Sequence, residues 1–313
     1  MNYLSIVGLL AVAFISASGI DACAAPGHEH YSKVYNPKVP SAFEFCGQKI
    51  DLDRVDMFER FDRELTSLVY GHGNTLLTIK RANKVFPVIM PILKEEGVPA
   101  DVAYLACVES YLSPRAYSPA KAAGIWQFIA SAAREYGLEV SDEIDERYHV
   151  EKATRAACRY LKNAYGKYGD WPTAMASYNG GQARISRELN AQNVESAFDL
   201  YLTEETSRYV FRIMAMKAVM EQPCHFGFEL SPEQLYQPVE CDAVQVSGPV
   251  DNWADWASAH GITYAQLLEE NPWIRAKKLT NKNEKTYTVR VPKKDKLQRS
   301  KGKRHLYNHN WVM

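Results

Sequence analysis

Apolar residues recur at helical spacing along much of the chain, and that periodicity sets the first expectations. Beyond Arg54, the residues Phe58, Phe61, Leu65 and Leu68 follow at intervals of three or four, which predicts one amphipathic helix. Asn74-Thr75 reads as the cap of a second, carrying Leu76, Ile79, Ala82 and Val85, with Pro87 and Pro91 breaking or kinking its continuation. Gly97-Val98-Pro99 then punctuates the entry into a third. Farther on, Ala153, Ala156, Ala157, Tyr160, Leu161 and Ala164 form one stripe, and Tyr209, Ile213, Met216 and Met220 form another. Residues 99–225 are therefore expected to be mainly α, with no long alternating strand pattern.

The pattern changes after Cys224, where Pro223, Pro232, Pro238 and Pro249 interrupt the periodicity and predict a linker over 226–240. A small unit over 241–293 follows. Ala243 to Val246 reads as a strand, Asn252 to His260 and Tyr264 to Glu270 as two short helices, and Thr286 to Val291 as a closing strand, a β-α-α-β order. From Lys293 to Arg304 there are seven basic side chains, so 294–313 is expected to be a solvated, flexible tail.

Composition changes this picture little. The 313 residues are 46% apolar and 24% charged, an ordinary globular balance with room for two or three domains. Lys and Arg number 37 and so do Asp and Glu, which removes any general electrostatic case for a nucleic-acid partner. The opening MNYLSIVGLLAVAFISASGI has the character of a secretory h-region, and 1–24 is expected to be an export signal. Two endings compete: Ala22-Cys23-Ala24 fits an A-x-A cleavage site, while Ile20-Asp21-Ala22-Cys23 resembles a lipoprotein box that would attach the chain to a membrane through a lipid on Cys23.

The six cysteines show no C-x-x-C spacing, and nothing in the chain suggests a metal, nucleotide or redox cofactor. Cys224 and Cys241 flank one presumptive loop and are the nominated pair. Cys107 and Cys158 are expected to be small buried apolar residues.

Chemistry enters at VAYLACVESYL, where an apolar run ends in Glu109 before Ser113-Pro114 stops the helix. Apolar surroundings and the negative end of a helix dipole both disfavour the charged form, so this carboxyl should hold a proton nearer to neutral pH than usual and can act as a general acid. A helix-terminal Glu pointing into solvent is the plain alternative.

Three later stretches decide between these: Ala123-Gly124-Ile125-Trp126-Gln127-Phe128, Ala176-Ser177-Tyr178-Asn179-Gly180-Gly181 and Glu205-Thr206-Ser207-Arg208-Tyr209-Val210. In this order they resemble the soluble lytic transglycosylase (SLT) family, with its E-S pair, G-x-x-Q, A-x-Y-N and E-T-x-x-Y-V. The resemblance covers about 99–225, and the segments upstream look like those of the membrane-bound D-type relatives, giving 40–98 as an N-terminal helical extension. The fold it implies is mainly α, a goose-lysozyme-like catalytic domain. The C-terminal unit resembles a LysM glycan-binding module, with Gly248-Pro249-Val250-Asp251-Asn252-Trp253 in place of that module's usual Gly-Asp-Thr-Leu opening. A tether to the catalytic domain would then raise local substrate concentration; a structural appendage packed on that domain is the alternative.

The family cleaves the β-1,4 link between N-acetylmuramic acid and N-acetylglucosamine in peptidoglycan. The resemblance implies that Glu109 protonates the glycosidic oxygen and then takes the proton of the muramyl C6 hydroxyl as that oxygen closes on C1. No second carboxylate stands in the matched motifs, although Asp142, Asp145 and Asp170 would suit a hydrolase that activates water. A non-catalytic peptidoglycan-binding protein is the third reading.

By the same resemblance Tyr209 orients Glu109, while Tyr178, Asn179 and Gln127 line the cleft and Ser110 bonds either Glu109 or the glycan. A core position is the alternative for Tyr209, a turn for Asn179 and a helix cap for Ser110. Trp126 is open between sugar stacking and core, and Glu205 suits the first turn of its helix. The partners implied are glycan strands of the bacterial envelope, met by a monomer.

Overall fold

A computed structural model describes residues 35–299 and 304–313; the expected export segment, with both of its endings near Cys23, lies outside them. The described chain opens with a hairpin that periodicity did not announce. Strands β1 (Phe43–Phe45) and β2 (Gln48–Ile50) pair antiparallel around Cys46 and Gly47. Both turn residues take positive φ, 52° and 77°, which suits the twist of a two-residue hairpin turn. Strands of three residues are too short to carry a period.

Helix α1 (Val55–Tyr70) buries Met57, Phe61, Leu65, Leu68 and Val69. Its apolar stripe runs through Met57 rather than Phe58, which is exposed, and it takes in one charged residue, Glu64. Helix α2 (His72–Glu95) begins earlier than expected and continues through Pro87 and Pro91. Thr75 does not cap it: its hydroxyl is buried and donates 2.7 Å to the carbonyl of Leu68, closing the α1–α2 corner. The prolines are tolerated because Val85, Phe86, Ile89, Ile92 and Leu93 anchor the helix in the core on both sides of them.

Short α3 (Ala103–Ser110) and α4 (Ala130–Glu135) are followed by α5 (Val150–Tyr168), α6 (Trp171–Gly180), α7 (Gln182–Gln192) and α8 (Glu204–Glu221). Helices α1 and α3 both pack on α8, and α5 packs on α2 and α6, around one hydrophobic core. Cys107 and Cys158 are buried in it as small apolar residues.

The C-terminal unit has the expected order: β3 (Cys241–Val246), α9 (Trp253–Ala259), α10 (Tyr264–Glu270) and β4 (Tyr287–Pro292), with β3 and β4 antiparallel. Asn252 and Thr263 cap the two helices through their side chains, which explains why such short helices hold.

Three expectations are revised. The segment 226–240 is no free linker, because Phe226, Phe228, Leu230 and Leu235 are buried in the main core and the Asn83 amide holds the backbone of Tyr236. Nor is the C-terminal end of the chain a wholly solvated tail. The Trp311 ring lies edge-on to Phe86 at 5.7 Å, and its indole donates 2.7 Å to the carbonyl of Met220, so apolar burial outweighs the basic run before it. Cys224 and Cys241 are both free: the thiol of Cys224 faces the carbonyl of Asn310, while Cys241 starts β3 beside Glu270.

Candidate active site

Glu109 is the next-to-last residue of α3, whose first five residues are all buried. The helix stops because Tyr111 and Leu112 both adopt left-handed backbone, with φ 51° and 54°. Such a conformation costs a residue with a side chain about 1 kcal/mol or more. Complete burial of Leu112 and a 3.0 Å bond from the Arg81 guanidinium to the Tyr111 carbonyl hold it. The carboxyl therefore sits half-buried at a sharply defined helix end.

Its environment suits a proton. Burial pushes the Glu109 carboxyl from its ordinary 4.5 up to about 7. The Tyr209 hydrogen bond opposes that rise, the carboxylate of Glu205 adds to it and the Arg212 guanidinium opposes it. Tyr209, on α8, is buried and donates its phenolic hydrogen to Oε1 of Glu109. Burial and the facing carboxyl push the phenol well above its ordinary range, so it remains a donor.

The G-x-x-Q stretch forms a wall beside this pair. A Cβ on Gly124, whose φ is +76°, would lie 1.8 Å from the carbonyl oxygen of Arg147, so only glycine fits. Ser110 Oγ donates 2.9 Å to the carbonyl of Ile125 and 3.2 Å to that of Ala106, and thus bonds the wall rather than Glu109. Tyr178, on α6, donates 2.7 Å to the carbonyl of Trp126. The Trp126 ring is wholly buried and its indole donates to Thr154, which settles it as core. Gln127, at φ 49°, turns its amide Nε2 to the carbonyl of Gly124 at 2.8 Å. Asn179 Oδ1 accepts 3.0 Å from Thr206 Oγ1, joining A-x-Y-N to E-T-x-x-Y-V. Glu205 occupies the first turn of α8, as its charge suggested.

Two charged groups behind these motifs had no motif to advertise them. Arg147 is buried, bonds Asp145 at 2.7 Å and donates 2.8 Å and 3.1 Å to the carbonyls of Lys121 and Phe128, spanning the wall from behind. Glu64 of α1, 1% exposed, receives Arg208 at 2.6 Å, Arg63 at 3.1 Å and Arg212 at 3.3 Å. Arg208 and Arg212 flank Tyr209 on α8, so the N-terminal extension clamps the helix that carries the phenol. Its only signal in the sequence was a Glu at an apolar stripe position.

Two of the other candidate carboxylates are committed elsewhere. Asp145 holds Arg147, and Asp170 caps α6 by accepting from the backbone of Thr173 at 2.9 Å. Asp142 lies exposed in the turn before them.

Residues 86–200 match the transglycosylase SLT domain, and residues 242–295 match the soluble lytic transglycosylase C-terminal LysM-like domain. The membrane-bound lytic murein transglycosylase D of Escherichia coli K12 is 29% identical over 249 residues, covering 77% of this chain and 53% of the relative; that of an O6:H1 strain gives the same figures. Peptidoglycan transglycosylase gp16 of Escherichia phage T7 is 36% identical over 83 residues, 26% of this chain and 6% of the phage protein. The chain spans about half the length of the E. coli relatives. It carries an SLT domain of lysozyme-like type, followed by a LysM-like domain.

Proposed function

We propose that this SLT-domain chain is a lytic transglycosylase of peptidoglycan. It cleaves the β-1,4 bond between N-acetylmuramic acid and N-acetylglucosamine without water. The observation that carries this reading is a single half-buried carboxyl, raised to about 7 and held by a buried phenol, with Asp145 and Asp170 bound into the fold. A carboxyl with that proton affinity both gives and accepts a proton near neutral pH.

In this reading Glu109 protonates the glycosidic oxygen as its bond to C1 breaks. The resulting carboxylate then removes the proton of the muramyl C6 hydroxyl, and O6 closes on C1 to give a 1,6-anhydromuramyl end. The proton lent in the first step is thereby recovered. Tyr209 orients the carboxyl and steadies its charge between the steps. Ser110 and Tyr178 hold the cleft wall, while the amides of Gln127 and Asn179 are of the type that reads N-acetyl groups.

The proposed setting is the bacterial cell envelope, with attachment through a lipid on Cys23 and a monomeric chain. Among the described residues no helix is long and apolar enough to cross a membrane. Mass spectrometry of digested sacculi tests the reaction: anhydromuramyl ends are expected, and a product set made only of reducing muramic ends would assign a hydrolase instead.

A further inference from the structure

The C-terminal unit is fused to the catalytic one rather than hung from it. Ala123, Ile144 and Tyr148 of the SLT region share one hydrophobic cluster with Val250, Trp253, Ile274 and other residues of the LysM-like unit. The backbone continues the junction: Ile144 bridges antiparallel to Ile274, Asp145 N donates 2.9 Å to the carbonyl of Trp273, and Arg275 N donates 2.8 Å to that of Glu143. The Glu143 carboxylate accepts from the backbone and hydroxyl of Thr280 at 2.9 Å and 3.0 Å. His149 stacks on Trp273 at 5.9 Å.

The segment gripped in this way is the one that carries Asp145 and Arg147. From there the bonds lead inward: Asp145 fixes Arg147, Arg147 fixes the carbonyls of Lys121 and Phe128, and the wall between those carbonyls meets Ser110 and Tyr178. Ser110 is the immediate neighbour of Glu109. A guanidinium has the planar fork needed to serve a carboxylate and two carbonyls at once; an ammonium does not.

We propose that the LysM-like domain is a brace for the catalytic cleft, with Arg147 as the positioning residue through which it sets the G-x-x-Q wall. A tethered binding module predicts something different, because a tether raises local concentration and leaves the catalytic geometry alone. The proposal rests on the transglycosylase reading for its assay.

The test uses the full chain and two substrates: short, soluble, uncross-linked glycan fragments, on which tethering has little to act, and insoluble sacculi. Arg147→Lys and Ile274→Asp are each expected to lower kcat on the short fragments about tenfold or more, since small displacements at a reacting centre are costly. KM should stay within about twofold, and sedimentation with sacculi should be retained.

The pH profile adds a readout that loss of fold alone would not give. Glu109 is faced by Tyr209, Glu205 and Arg212 from α8 and is coupled to Tyr178 on α6. A slackened wall admits water to the carboxyl, so the alkaline limb of kcat should move to lower pH. If Ile274→Asp does not fold, Glu143→Ala decides, since it removes only the side-chain link to Thr280: a fall in kcat of about threefold supports the brace, and unchanged kcat overturns it. Unchanged kcat in Arg147→Lys, or variants that lose sacculus binding alone, also overturn it. A wild-type chain inert on both substrates would instead defeat the functional reading.

Discussion

The phenol of Tyr209 donates its hydrogen bond to the carboxyl of Glu109 across 100 residues of sequence, joining the end of α3 to the second turn of α8. The bond favours the ionised carboxylate and so works against the burial that raises its pKa. Tyr209→Phe is therefore expected to move the alkaline limb of the pH profile upward while lowering kcat about a hundredfold through lost orientation. A pH–kcat series on glycan fragments checks both, and a limb that moves downward would contradict the geometry.

Glu109→Gln should reduce glycan cleavage on the order of a thousandfold, the scale of a lost general acid. It should also stabilise the fold at neutral pH. The folded carboxyl, at about 7, binds a proton more tightly than the unfolded one, near 4.5. Stability contributed by this group is thus fully present below 4.5 and falls as pH rises to 7, by at most about 3 kcal/mol. The amide has no such loss, so the variant should gain on wild type in denaturant melts at pH 8 and not at pH 4.

His149 is expected to act in the opposite sense. Burial, reinforced by the charge of Lys152, lowers its pKa from 6.5 to about 4. The unfolded chain takes up this proton first on acidification, so stability falls as pH drops from 6.5 toward 4, again by at most about 3 kcal/mol. His149→Phe should flatten that dependence. Comparing each variant with wild type at the same pH separates the two groups.

Glu64→Gln should destabilise the chain by about 1 to 2 kcal/mol, because it removes the buried charge shared by three partly exposed guanidinium groups, two of which keep Glu204 as a second partner. Urea melts measure the loss. A variant of unchanged stability would mean that water replaces the carboxylate there.

Trp311→Ala is expected to cost about 3 to 5 kcal/mol, the range for removing a large buried aromatic. The same melts check it. The basic run from Lys293 gave no hint of this contact, because charge pattern describes the solvated part of a segment and says nothing of one aromatic beyond it.

That contrast describes how far the sequence could be read. The helices with long apolar stripes and the β-α-α-β order were legible because each repeats its period. The motifs around Glu109 were legible as a family resemblance because each is a short local string, and residues 86–200 match the SLT domain. Arg147 and Glu64 were not, since each acts on backbone or side chains far along the chain and neither sits in a motif. At Pro87 and Pro91 local propensity left a break or a kink open, and the core on both sides keeps the helix from breaking. The hydroxyls of Tyr178 and Ser110 bind backbone carbonyls, a detail no spacing encodes.

The two left-handed residues after Glu109 bear on how such a chain drifts over generations. Glycine at Tyr111 would relax the backbone, whereas glycine at Leu112 would also empty a completely buried site, at a cost of about 2 to 5 kcal/mol. Yet the sharp turn is what ends α3 one residue past the carboxyl, and a freer turn would blur where that carboxyl stands. Selection for sturdiness and selection for turnover therefore pull against each other at Tyr111, and agree at Leu112.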